Sequence, residues 1–443
     1  MKQKRFRLLA GCALPVMLLC SCGSGASAPA ADEALRPAEY SGEAVYEGDF
    51  SAEEAGEEAA ALDAEPAAFE ELPEKTADED GMPPAEVIPE SQSEAETEPP
   101  ADDNAQPFVL TAGEWNDNEN WGFFVNLIHN GAITFPSYGL DPVHRIALQV
   151  KSGEDAVYNQ PVTLSDSDGN VLWRAKTDRS GNAYLFYPKR AAGQTLTLHT
   201  EGAEDIACEV PAEDANAQGG QSAPTLSFTA EVGEKPEQPK KTEVMFILDT
   251  TGSMGDEITY LQKDFAAIAG EVSNENMTFS VNFYKDEGDE YVTRCNPFTD
   301  DVKEIQKLLN QEYAQGGGDE PEAVAQILEE TITNGSWSDD TAKIAFLIFD
   351  APPHTGTDTE TKLQRAIASA AERGVHLVPV VASNAARETE LFGRAAAIMT
   401  NSNYVFLTDD SGVGDSHLEP IIGDYDVELL HDIIVRNIRE VAA

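Results

Sequence analysis

The chain has 443 residues, a formal net charge of −51 and 41% apolar residues, which gives room for more than one domain and enough apolar matter for ordinary cores. The 80 acidic against 29 basic side chains argue against nucleic acid as a partner, because phosphate binding needs a basic face that releases counterions. Seven histidines and five cysteines show no Cys-x-x-Cys or His-x-x-x-His spacing, which argues against zinc.

Lys2, Lys4, Arg5 and Arg7 make a basic start, and an apolar stretch from Leu8 to Leu19 follows. At about a dozen residues that stretch is too short to span a bilayer as a mature helix. Leu19-Cys20-Ser21-Cys22 resembles a bacterial lipobox, and Gly23, Ser24 and Gly25 follow as a flexible tether. The resemblance implies a lipoprotein signal peptide over 1–22, with acyl chains on Cys22 holding the protein to a membrane. An ordinary secretory signal is the alternative, and under either reading the protein is exported.

Residues 23–105 read as a disordered acidic linker. Between Asp32 and Ala105 there are 25 Asp and Glu against two basic residues, Arg36 and Lys75, with few aromatics to build a core. A self-repelling coil of this length reaches on the order of 50 Å, enough to act as a stalk.

Residues 106–235 form the next region. LTAGEWNDNENW places Trp115 and Trp121 around Glu114, Asn116, Asp117 and Asn120. This reads either as an oxygen-rich ligand platform or as two tryptophans anchoring the segment against a neighbouring domain. Behind it, 145–150, 161–164, 171–177, 182–187 and 194–198 alternate between Asp-Gly and Ser-Gly turns at the spacing of a small β-sandwich. PVTLSDSDGNVLWRAKTDRSGNAYLFYP is similar to the hairpins of transthyretin-like or carboxypeptidase-regulatory-like domains.

From 242 the pattern changes to strands alternating with helices, which predicts a doubly wound, mostly parallel α/β sheet over 242–443. Val244–Leu248 is continuously apolar and reads as a strand buried on both faces, ending on Asp249. Thr250, Thr251, Gly252 and Ser253 make a tight loop, after which Ile258, Leu261, Phe265 and Ile268 recur at helical spacing. A carboxylate and two hydroxyls thus meet at the carboxyl end of a strand, where open α/β sheets bind ligands. Such hard oxygen donors suit Mg²⁺ or Mn²⁺. The rival reading is a helix N-cap in which Ser253 or Asp249 accepts backbone N–H bonds.

Two later motifs favour the cation. Gly316, Gly317 and Gly318 let backbone approach closely, and Asp319 and Pro321 are predicted to open a helix, with Glu320 and Glu322 as ordinary acidic residues of its first turn. Ile344–Phe349 is a second apolar strand ending on a carboxylate, Asp350, followed by Ala-Pro-Pro-His. A helix over 361–373, a strand over 375–381, a helix around 390–399, a strand over 404–407 and a closing helix over 426–439 complete the prediction.

Asp249, Thr251 and Ser253 match the D-x-[ST]-x-S signature of the von Willebrand factor type A domain, and FDAPPH is a familiar form of that family's last metal-site aspartate. The resemblance implies a Rossmann-like fold and a metal-ion-dependent adhesion site that holds Mg²⁺, or Mn²⁺ or Ca²⁺, through Asp249, Thr251, Ser253, Asp319 and Asp350. Many A domains carry Thr after the glycines where this chain has Asp319, as in a GGGDxPE subgroup. The function implied is metal-dependent binding of a protein ligand or adhesion, with a position on the ion open to a carboxylate from the partner. Two alternatives stand beside it: an envelope structural protein with a stabilising metal, and a hydrolase using Ser253, Asp350 and His354. An exported location would also permit a disulfide between Cys208 and Cys295.

Overall fold

The computed structural model describes the backbone of residues 5–6 and residues 109–136, 138–212, 226–273, 276–318, 320–412 and 416–442. The expected signal peptide, Cys22, the acidic linker and Asp319 lie outside the described residues apart from that dipeptide.

The strands, in chain order, are β1 (Arg5–Phe6), β2 (Thr111–Trp115), β3 (Arg145–Ser152), β4 (Asp155–Ala156), β5 (Pro161–Ser165), β6 (Val171–Lys176), β7 (Asn182–Phe186), β8 (Thr195–Thr200), β9 (Ile206–Glu209), β10 (Leu226–Glu231), β11 (Lys241–Asp249), β12 (Met277–Tyr284), β13 (Thr293–Arg294), β14 (Thr341–Phe349), β15 (Val375–Val381), β16 (Tyr404–Thr408) and β17 (Asp426–Leu429). The helices are α1 (Trp121–His129), α2 (Gly255–Val272), α3 (Val302–Leu309), α4 (Val324–Leu328), α5 (Thr357–Arg373), α6 (Arg387–Met399) and α7 (Leu430–Ala442).

The large sheet runs β1-β17-β2-β16-β15-β14-β11-β12-β13. β16, β15, β14, β11 and β12 are mutually parallel, and β2 and β13 are antiparallel to their neighbours. The central strands carry Val, Ile, Leu and Phe on both faces because helices cover both. Met245, Ile247, Leu347 and Phe349 face one core and Val244, Phe246, Phe346 and Ile348 the other. α4, α5 and α6 contribute to the first core, α2, α3 and α7 to the second. This is the doubly wound α/β fold expected from the sequence.

The middle region is a sandwich of two four-stranded sheets, one with β10-β3-β4 and β7 beside β3, the other β6-β5-β8-β9. Inward residues of the two sheets, including Ile146, Leu148, Val162, Leu164, Leu185 and Leu196, share one core. Cys208 is buried in that core, Cys295 is exposed on the α/β sheet, and both thiols are free, so the permitted disulfide is not formed.

Three expectations are corrected. The tryptophan segment, grouped with the sandwich on sequence, instead lends β2 to the large sheet between β16 and β17. It is anchored there by Asp117, whose carboxylate takes a two-pronged bond from the fully buried Arg394 of α6 at 2.8 Å on each arm. Residues 426–429, read as the start of the last helix, form β17 against β2. The helix expected to open at Asp319 and Pro321 begins only at Val324.

Candidate metal centre

β11 and β14 are hydrogen-bonded neighbours in parallel register, Leu248 opposite Ile348, so Asp249 and Asp350 emerge side by side at their carboxyl ends. The chain leaves β11 for β12 on one side and later returns to β14 on the other. This reversal of strand order leaves a crevice between β11 and β14, the place where doubly wound sheets take ligands.

The turn after β11 folds back on its own carboxylate. Asp249 Oδ1 accepts the backbone N–H of Thr251 at 2.9 Å and its hydroxyl at 2.7 Å. α2 has no side-chain cap, with Met254 at its N-cap position, so neither Asp249 nor Ser253 is spent on the helix as the rival reading required. Asp249 is fully buried, and among the described residues its second oxygen, Oδ2, meets no hydrogen-bond partner of good geometry, although the Tyr284 hydroxyl lies near the carboxyl. Asp350 is 7% exposed and its Oδ1 is likewise without a partner. Unpaired carboxylate oxygens at such depth cost free energy unless a cation or a proton compensates.

The glycine loop closes the site from the side. Gly252 N–H donates to the Gly316 carbonyl at 3.0 Å, Gln315 N–H to the Thr250 carbonyl at 3.1 Å, and Gly317 N–H to Asp289 Oδ2 at 2.9 Å. Gly317 has φ +74°, and a Cβ there would lie 2.9 Å from Glu322 Oε1 and 3.1 Å from the Thr251 Cβ. Only glycine lets the loop pass between those two side chains. Together these elements line a cleft of about 340 Å³, with Thr251, Ser253, Glu322 and Asp350 in its wall.

Two participants escape sequence reading. Lys285, in what reads as a charged turn, is 2% exposed and donates its ammonium to the Thr250 and Gln315 carbonyls, and to that of Tyr313 at 3.4 Å. It fastens the glycine loop to the Asp249 turn. Glu322, expected as an ordinary acidic residue of a helix start, is 4% exposed with Oε2 unpartnered. Its backbone N–H is pinned to the Pro352 carbonyl at 3.0 Å, just beyond Asp350. Glu320 is exposed, as expected.

The electrostatics follow from this crowding. Burial, and then the nearby Asp350, push the Asp249 carboxyl above the ordinary range, with the Thr251 and Tyr284 hydroxyls pulling it back. Burial also raises Asp350, against the neighbouring Ser253 hydroxyl. Glu322 is pushed up to about 9 by burial, then by Asp249 and Asp286.

The donor set fits a hard divalent cation: carboxylate oxygens without partners and the hydroxyls of Thr251 and Ser253 beside them. Among the described residues no three His, Cys, Asp or Glu side chains converge closely enough to hold an ion alone. Two residues of the hydrolase alternative have other neighbours. Ser253 lies against Asp350, and His354 Nε2 is bonded instead to Asp286 Oδ1 at 2.6 Å.

Residues 243–414 match the family model described as von Willebrand factor A domain. The matched segment holds β11, the glycine loop, β14 and Asp350, and leaves the sandwich and β2 outside it. No curated protein matches the chain.

Proposed function

We propose that this chain is a lipid-anchored, surface-displayed protein whose α/β domain holds a divalent cation, Mg²⁺ or else Mn²⁺ or Ca²⁺, and uses it for metal-dependent protein binding or adhesion. A match to the von Willebrand factor A domain is consistent with a protein-binding role. The observation that carries the metal reading is the pair of buried, unpartnered oxygens, Asp249 Oδ2 and Asp350 Oδ1, delivered by adjacent strands.

In this reading Asp249 and Asp350 supply charge, Thr251 and Ser253 supply neutral oxygens, and Asp319 is a further ligand. The ion would offer a Lewis-acidic position to an oxygen of the partner, a carboxylate being the matching group. Asp249 is held by its own turn, so the chain presents a largely pre-formed cradle whose shape does not depend on the partner. The anchor at Cys22 and the acidic stalk would set the domain off the membrane. No helix among the described residues is long and apolar enough to cross one.

The test is capture of proteins from cell or matrix extracts by the immobilised chain, with Mg²⁺ or with EDTA. The reading expects EDTA to release partners that Mg²⁺ retains, and Asp249→Ala to capture none of them in either buffer. A captured set indifferent to both changes would contradict it.

A further inference from the structure

We propose that Glu322 is a further carboxylate of the cation site, holding the bound ion through the ion's own water, and so sets how tightly the site keeps its metal. The inference rests on the metal reading above and adds a residue that reading does not include.

Three observations point to it. Glu322 lines the same cleft as Thr251, Ser253 and Asp350. It is 4% exposed, yet its Oε2 has no partner among the described residues, so a carboxyl oxygen lies out of solvent with nothing bonded to it. Its position is fixed from two sides: the backbone N–H bonds the Pro352 carbonyl, and Oε1 sits against Gly317, where the missing side chain leaves room for it. Glu320 also lines the cleft but is exposed, so what sets Glu322 apart is that its unpartnered oxygen is out of solvent.

The arrangement selects an indirect role. Asp249, Asp350 and Glu322 do not converge closely enough for all three to ligate one ion directly. Small divalent cations keep several waters, and a carboxylate beyond the direct ligands can accept from one of them. Partners of this kind are worth roughly 10–100-fold in metal affinity.

The experiment uses the full chain stripped of metal, with free Mn²⁺ read by its electron paramagnetic resonance signal. The wild type, Glu322→Gln, Glu322→Asp and Asp249→Ala are compared, each also melted in EDTA. The glutamine keeps the shape and removes the charge. The proposal expects Glu322→Gln to bind Mn²⁺ about tenfold more weakly while melting at a higher temperature than wild type in EDTA, since a buried repulsion is gone. Glu322→Asp should recover part of the affinity. A purely structural Glu322 would give the opposite melting shift. If Asp249→Ala abolishes binding and Glu322→Gln binds as the wild type does, the proposal fails and the metal site stands. If the wild type itself binds no Mn²⁺ at millimolar concentration, the metal reading fails and this inference with it.

Discussion

Asp249 ends β11 and Asp350 follows the end of β14, and because the two strands are paired in register their carboxylates share one buried crevice, each with an oxygen that bonds to nothing. With Glu322 nearby, the metal-free molecule concentrates carboxyl groups where there is little water to solvate their charged forms, so each keeps its proton to a higher pH than an ordinary carboxyl does.

That concentration predicts a pH dependence with a definite sign. Asp249, Asp350 and Glu322 are all raised in the folded chain, so the folded state holds protons that the unfolded state releases from about pH 4 upward. Their contribution to stability is greatest below that pH and falls as pH rises toward the raised value of about 9 at Glu322. In EDTA the melting temperature contribution of these groups should decline between pH 5 and pH 8, an interval of about three units inside that window. Saturating Mg²⁺ should offset the decline, by about 2.7 kcal/mol at a hundred times its dissociation constant. Melting curves in the two buffers check this, using Asp249→Ala to isolate the site's share. A Mg²⁺ effect equal in wild type and variant would place the ion elsewhere.

Lys285 makes a second, independent prediction. Its ammonium bonds to the Thr250 and Gln315 carbonyls. Lys285→Met keeps the stem and removes the donor, so the Gln315 and Tyr313 carbonyls lose the ammonium while the Thr250 carbonyl keeps only the Gln315 N–H, at a cost of about 1–3 kcal/mol. Chemical denaturation should show that loss. Because two backbone hydrogen bonds then hold the glycine loop to the Asp249 turn without the ammonium, the loop is less firmly fastened and cation affinity should fall as well, although Lys285 repels cations and its removal would otherwise raise it.

The large sheet needs residues far upstream of the matched segment. A chain cut to 242–443 loses β2 and leaves Arg394 with Glu390 but without Asp117, and losing one partner of this buried network costs up to about 3–5 kcal/mol. It should be markedly less stable to urea than a chain starting at 109, and Asp117→Ala in the longer chain should reproduce much of the loss. Equal midpoints for the two lengths would show that β2 is dispensable.

The proposed anchor is tested by fractionation. Cys22→Ser should move the protein from the membrane to the soluble secreted fraction, and Cys20→Ser should leave it in place. An unchanged distribution for Cys22→Ser would remove the lipobox reading.

Much of the α/β architecture was legible because fully apolar runs such as Val244–Leu248 and Ile344–Phe349 have few folds open to them, and a carboxylate at the end of each marks the site. What escaped depends on distant partners. The sequence of β17 reads as helix because Val427, Leu430, Ile433 and Ile434 continue one helical stripe, and only pairing with β2 makes 426–429 extended. β9, at four residues, is too short for a firm alternating signal, whereas in β10 Leu226, Phe228 and Ala230 alternate with Ser227, Thr229 and Glu231, a signal the sequence does carry. Glu322 and Lys285 sit in charged, turn-like sequence, where solvent exposure is the ordinary expectation. Their burial arises from the closure of the glycine loop over the strand ends, a relation between segments that local patterning does not carry.

The central claim is that Asp249 and Asp350 hold a divalent cation, and calorimetric titration of Mg²⁺ into the metal-stripped full chain tests it most directly. The account predicts a single saturable site in the wild type, lost in Asp249→Ala and in Asp350→Ala while both variants remain folded. A wild-type chain that binds no Mg²⁺, or variants that bind it as tightly as the wild type, would contradict it.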